Sequence, residues 1–221
     1  MSKISLKHSG GNVVSLNSPT TEPNANDVAF KLPNADGSDG QFMKTDGSGN
    51  LSFSAVSAGI THARIYRITS TFLLTSGSAT LTANWEYEDN ASAGNLGSGW
   101  SLPSSGVFSF PTTGIYMVKF HSMINVQSGI NVPYGGLSIQ GTANNFSSID
   151  YRTDAYSSQS DDLSAVRYHN VHVGATFDVT DTSNVKFKLL VYKDANYGNI
   201  SFTGSSGHNY TYVEVIRLGD T

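Results

Sequence analysis

The feature that most constrains this chain is a succession of short segments in which apolar and polar residues alternate, each ending in turn-forming residues. No stretch keeps a helical period for three turns. Alternation with a period of two places successive side chains on opposite sides of an extended strand, so each segment has one face to bury. The longest run is 115–124, where Tyr116, Val118 and Phe120 fall on one side. Residues 62–68, 79–85, 107–110, 136–140, 165–173, 185–192 and 210–218 follow the same pattern. Repeated short strands with turns between them predict an all-β, antiparallel sandwich or barrel. No internal repeat of solenoid or propeller length is present.

Composition narrows the function classes. Of 221 residues 22 are glycine, and only 14% are charged, against roughly 25% in an ordinary soluble domain. An aromatic content of 11% supplies apolar surface for a core and argues against disorder. A net charge of -4 without any Lys/Arg run leaves no electrostatic footprint for nucleic acid. The lack of cysteine removes disulfides, thiolate zinc sites and cysteine nucleophiles, and fits a protein completed in a reducing cytoplasm. The N-terminal segment lacks the apolar core of a signal peptide, and no segment approaches a membrane span in length. The expected product is soluble, with neither nucleic acid nor membrane as a partner.

Three zones differ in texture: residues 1–32, 33–60 and 61–221. In the first, Ile4 and Leu6 precede Gly10-Gly11-Asn12, and Val14 and Leu16 follow it, which predicts a small hairpin. In the second, residues 41–45 and 51–54 flank Asp46-Gly47-Ser48-Gly49-Asn50, a second hairpin signal. An isolated two-stranded hairpin is marginal in water, so both are expected to dock on a partner surface. The alternative for this zone is a flexible Gly/Ser linker. The third zone holds the alternating segments and is the expected sandwich head.

Residues able to carry chemistry are few. Glu86, Glu88 and Asp89 cluster, as do Asp161 and Asp162, but the latter two adjoin in a Ser/Asp-rich stretch that reads as a solvated loop. Glycoside cleavage needs two carboxylates at a set distance across a sugar. His169 and His172 are three apart and face opposite sides of a strand, and His8, His62, His121 and His208 read as isolated. Asp150, Asp154, Asp161 and Asp162 with Asn144 and Asn145 form an oxygen-rich region, but without the spacing of an EF-hand. Neither a nucleophile elbow nor a phosphate loop occurs. The expectation is therefore no catalytic residue, no cofactor and no metal. What remains are aromatics in Gly/Ser/Asn-rich loops: Trp100, Tyr134, Tyr151, Tyr156 and Tyr197. They suit a contact surface for a glycan or protein, since Tyr brings large area at small entropy cost. The alternative is that they tuck against the core edge.

Two stretches resemble known families. Val107-Phe108-Ser109-Phe110-Pro111-Thr112-Thr113-Gly114-Ile115-Tyr116-Met117-Val118 is similar to the Phe-rich strand, Pro-x-x-Gly turn and Tyr-bearing strand of the C1q/TNF-like jelly rolls. Residues 171–179 resemble that family's late strand entering a Gly-containing turn, and 205–219 its closing strand. The resemblance covers about 61–220 and implies a jelly-roll sandwich and a homotrimer. Residues 32–53 resemble the P-x-A-D-G-x-x-G-Q-x-x-K-T-D-G-x-G-x-L-x-F segment of bacteriophage tail-fibre and other virion proteins. That implies a virion location, with assembly in the host cytoplasm. Residues 1–32 would attach to other virion proteins through Ile4, Leu6, Val14 and Leu16, residues 33–60 would connect, and residues 61–221 would present loops to a host surface. The expected role is a short trimeric tail fibre. A capsid decoration or head-fibre protein, and a small glycan-cleaving tailspike, are the alternatives.

Overall fold

The computed structural model describes residues 3–17, 30–55, 59–90, 92–158 and 164–221, all in strands, turns or irregular backbone. The chain divides into two units, Met1–Ala58 and Gly59–Thr221.

The first unit contains two hairpins. Strand β1 (Lys3–Lys7) pairs with β2 (Val13–Asn17), setting Ile4 opposite Leu16 and Leu6 opposite Val14. Strand β3 (Gln41–Thr45) pairs with β4 (Leu51–Ala55), and Lys31 adds a parallel bridge to Asn50. The Asp46 carboxylate organises the turn, accepting from the backbone N–H of Ser48 at 2.8 Å and of Asn50 at 3.1 Å. Upstream, the Gln41 side chain accepts from the Ser38 N–H at 2.8 Å. Gly37 is required for a different reason: a Cβ there would lie 2.7 Å from the Phe53 ring, which rests on it.

The second unit is a two-sheet antiparallel sandwich. Its strands are β5 (Ala63–Ile68), β6 (Phe72–Leu74), β7 (Ser78–Thr80), β8 (Trp85–Tyr87), β9 (Val107–Ser109), β10 (Gly114–Val126), β11 (Tyr134–Thr142), β12 (Tyr151–Ser158), β13 (Arg167–Val179), β14 (Lys186–Lys193), β15 (Ile200–Phe202) and β16 (Thr211–Gly219). In the larger sheet β10 pairs with β13 along one edge, and with β16 and then β15 along the other; β5 and β8 continue beyond β16, and β6 beyond β15. The smaller sheet runs β12-β11-β14, with β7 and β9 both on the far edge of β14.

Alternation explains the core. Tyr116, Val118, Phe120, Ile124 and Val126 of β10 are buried completely, and Leu137, Ile139, Leu189 and Val191 of the smaller sheet match them. Aromatic rings fill the space between: Phe108 stacks on Phe187 with centroids 4.7 Å apart, and Phe110 lies 4.7 Å from Tyr116 and 5.5 Å from Phe177. The Pro111–Gly114 turn locks onto this core through a 3.0 Å hydrogen bond between the Thr112 and Tyr116 hydroxyls. Gly114 has φ 142, and a Cβ there would lie 2.6 Å from the Gly219 carbonyl oxygen and against the Arg217 guanidinium. Arg217 Nε donates to the Thr113 carbonyl at 2.9 Å, so the closing strand clamps the turn.

Four departures from the sequence pattern have physical causes. Residues 79–85 do not form one strand: β7 stops at Thr80, and Asn84, at φ 63, redirects the chain into β8. Gly174 is not in a turn but in mid-strand opposite Lys119, so β13 runs through to Val179. Residues 151–158 are a strand, not a loop. Short β6 and β15 extend the larger sheet and carry too few residues to register as a pattern. Because Phe187 is 1% exposed and faces Phe108, Phe110 and Phe177, Phe187→Ala is expected to cost about 3–5 kcal/mol in chemical denaturation. A loss below about 1 kcal/mol would contradict this core.

Candidate functional site

The smaller sheet turns Leu137 and Ile139 inward, so the alternate residues Tyr134, Gly136, Ser138 and Gln140 of β11 belong to its outer face. The register then sets three rows on that face: Tyr156, Gly136 and Tyr192; Asp154, Ser138 and Leu190; Arg152, Gln140 and Lys188. Gly136 decides how the first row packs. A Cβ there would fall 2.5 Å from a ring carbon of Tyr192, so its absence lets the Tyr192 ring lie flat across the middle strand. The ring reaches the edge strand, where its hydroxyl donates to the Ala155 carbonyl at 2.9 Å. Burial, with the Asp154 carboxylate adding to it, pushes that hydroxyl's pKa up to about 12, so it remains a donor at neutral pH.

Two further rings stand around this floor. Tyr134 lies with its centroid 6.2 Å from Tyr192 at 63°, and 5.9 Å from Tyr156 at 56°. Tyr156 is 69% exposed. Across from them Arg152 Nε donates to both oxygens of Asp154, at 3.0 and 2.9 Å. Tyr134, Arg152, Asp154, Tyr156 and Tyr192 together line a depression of about 220 Å³.

The expected contact residues therefore separate. Tyr134 and Tyr156 meet, on strands and not in loops. Tyr151 also lies on a strand, 5.9 Å from Phe177 and beside a different hollow bordered by Met117, Lys119 and Thr176. Tyr197 is exposed in the turn after β14, where its carbonyl accepts from Lys193 Nζ at 2.9 Å. Trp100 packs against the core edge, its indole N–H donating to the Leu96 carbonyl at 2.9 Å. Leu6 is 72% exposed, while the side chains of Ile4, Val14 and Leu16 lie outside the described set. Sequence reasoning missed Tyr192, Arg152 and Asp154 as members of one site. The signal was available in the period-two spacing of Arg152, Asp154, Tyr156 and Ser158.

The remaining polar clusters serve the fold. Arg67 is fully buried, and its guanidinium donates to Glu86 at 2.7 Å and Asp89 at 2.6 Å, so two carboxylates of the acidic cluster are the counter-charge of one buried cation. Asp150 accepts from the Ala143 N–H at 2.7 Å and from the Ser148 hydroxyl, and these bonds hold its pKa below the ordinary value. Asp161 and Asp162 lie outside the described residues. Among the described residues no group of three or more His, Asp or Glu converges on one point.

His121 is not isolated. It sits opposite His172 across the β10–β13 ladder, and its ring stacks on Tyr212 at 4.7 Å. His169, on the same strand as His172, lies on the other face, as its spacing requires.

Among solved structures the chain is similar to the Eiger TNF of S. frugiperda, at 13% identity over 74% of this chain and 96% of that one, with a TM-score of 0.52. It is also similar to murine APRIL at pH 5.0, at 12% identity over 71% and 99% of the two chains, with a TM-score of 0.46. The fold is a TNF-like jelly roll. No protein-family model and no curated protein matches the chain. At such identity the likeness speaks for the architecture alone, and the tyrosine-lined depression has to be judged on its own chemistry.

Burial holds the His121 and His169 pKa values below 6.5; Glu214 opposes the shift at His121, His172 and Lys119 add to it, and Arg167 adds to it at His169. The unfolded chain therefore takes up protons first as pH falls. Stability should be full above about pH 6.5 and decline through the two depressed pKa values. Thermal melts between about pH 8 and 5 test this. A midpoint that stays level, or rises, below pH 6.5 contradicts the assignment.

Proposed function

We propose that this chain is a structural virion protein of a bacteriophage, a short homotrimeric tail fibre. Residues 1–32 attach it, residues 33–60 connect, and its jelly-roll head contacts the host surface or neighbouring virion proteins without catalysing a reaction. The observation that carries the proposal is the segment 32–53, in which several of the phage-like positions have a structural use. Gly37 accommodates the Phe53 ring, Gln41 ties back to Ser38, and Asp46 builds the turn.

Trimerisation is supported by the outer face of the larger sheet. Met117 and Met123 of β10, Ile216 and Tyr212 of β16 and the exposed Tyr168 of β13 share that face with Lys119, Asp178 and Glu214. Two of these, Lys119 and Glu214, lie directly opposite one another in the ladder. A heterologous contact built on such a face closes into a ring when the rotation between copies is a third of a turn. A non-catalytic head is supported by the carboxylates, since Glu86 and Asp89 share one buried guanidinium and Asp154 pairs with Arg152.

Light scattering at micromolar concentration should return three times 23.6 kDa. Met117→Glu should shift the mass toward a monomer while the β-sheet circular dichroism is retained. A wild-type monomer overturns the trimer.

In purified particles the chain should label at the tail, and deletion of residues 1–58 should leave a folded head that no longer joins the particle. Label on the capsid shell would favour a decoration protein, and incorporation of the truncated head would overturn the anchor. Release of oligosaccharide from host polysaccharide by the purified protein would overturn the non-catalytic assignment.

A further inference from the structure

We infer that the depression on the outer face of the smaller sheet is a binding site for one neutral hexopyranose unit of a glycan. This deepens the host-contact part of the proposed function and rests on it. Three features select that ligand class. The Tyr192 ring lies flat over Gly136 and is fixed at its far end by Ala155, which presents a rigid apolar surface suited to the C–H face of a pyranose. Tyr134 and Tyr156 stand around it and border a depression of about 220 Å³, enough to seat a single sugar ring. The remaining wall is an Arg152–Asp154 pair bound through Nε.

That pairing leaves the terminal guanidinium nitrogens as donors and spare carboxylate lone pairs as acceptors. Vicinal hydroxyls, each both donor and acceptor, match such a wall. A free anion does not, because Asp154 already cancels the arginine's charge, and a cation is disfavoured by the same neutrality. Ser138, fully buried with no hydrogen-bond partner for its hydroxyl, lies beside Asp154 in the same row.

The test uses the full-length protein and three probes, the methyl pyranosides of glucose, galactose and mannose, with glucuronate as the anionic control. Titration followed by NMR should shift the ring signals of Tyr134, Tyr156 and Tyr192 with at least one neutral glycoside and not with glucuronate. Tyr156→Ala and Asp154→Asn should each weaken binding by about tenfold, a change of about 1.4 kcal/mol. Tyr156→Phe should keep the affinity, because it retains the stacking face. Each variant's melting temperature, held near that of wild type, separates lost binding from lost folding.

No shift with any neutral probe, a stronger response to glucuronate, or undiminished binding by Tyr156→Ala would overturn the saccharide site. So would perturbation of these rings by a virion protein but by none of the sugars. A negative titration with the chain still found in particles defeats this inference alone. Absence from particles defeats the virion assignment and leaves the titration as a separate result.

Discussion

Strand β10 is the member on which the larger sheet of the jelly roll depends, because its thirteen residues hydrogen-bond to β13 on one edge and to β16 and β15 on the other. A strand paired along both edges has its backbone polar groups satisfied within the sheet, so its inner face can be apolar apart from the Tyr116 and Ser122 hydroxyls, which pair with Thr112 and Thr211. That is the condition under which Tyr116, Val118 and Phe120 reach complete burial, and it fixes where the Phe108–Phe187 stack must sit. The Pro111–Gly114 turn sets the start of β10, and Arg217 of the closing strand holds that turn. Segments 104 residues apart are thereby joined at one corner, a topology rich in non-local contacts that should fold slowly for its size.

The two outer faces of the sandwich are built differently. The larger sheet presents Met117, Met123 and Ile216 beside the stacked His121 and Tyr212. The smaller sheet concentrates aromatic rings and one neutral ion pair around a missing side chain at Gly136.

Much of this was legible in the sequence where one face of a strand is buried and the other is not. β10, β14 and β16 announce themselves because Tyr116-x-Val118-x-Phe120, Phe187-x-Leu189-x-Val191 and Val213-x-Val215 alternate strictly. β12 was hidden because it is an edge strand whose residues are exposed or half-exposed throughout, so no hydrophobic period marks it. The Ala79–Trp85 alternation misled because a positive φ at Asn84 breaks the backbone without breaking the pattern. The site was half legible. Tyr134 and Tyr156 stood out as aromatics among small residues, but Tyr192 was indistinguishable from core alternation, since only register shows that it lies over the glycine paired with Tyr156.

The hydrogen bond from Tyr192 to Ala155 has a mechanical meaning besides a chemical one. Edge strands fray first in local opening, and β12 has hydrogen-bonded backbone on only one side among the described residues. A ring that starts on β14, crosses β11 and fastens to β12 acts as a clasp over the sheet, so β12 cannot lift away without the floor of the depression coming apart. Peeling of that edge and loss of the pocket are thus a single event. On the binding proposed above, a sugar in the depression slows hydrogen exchange along β12.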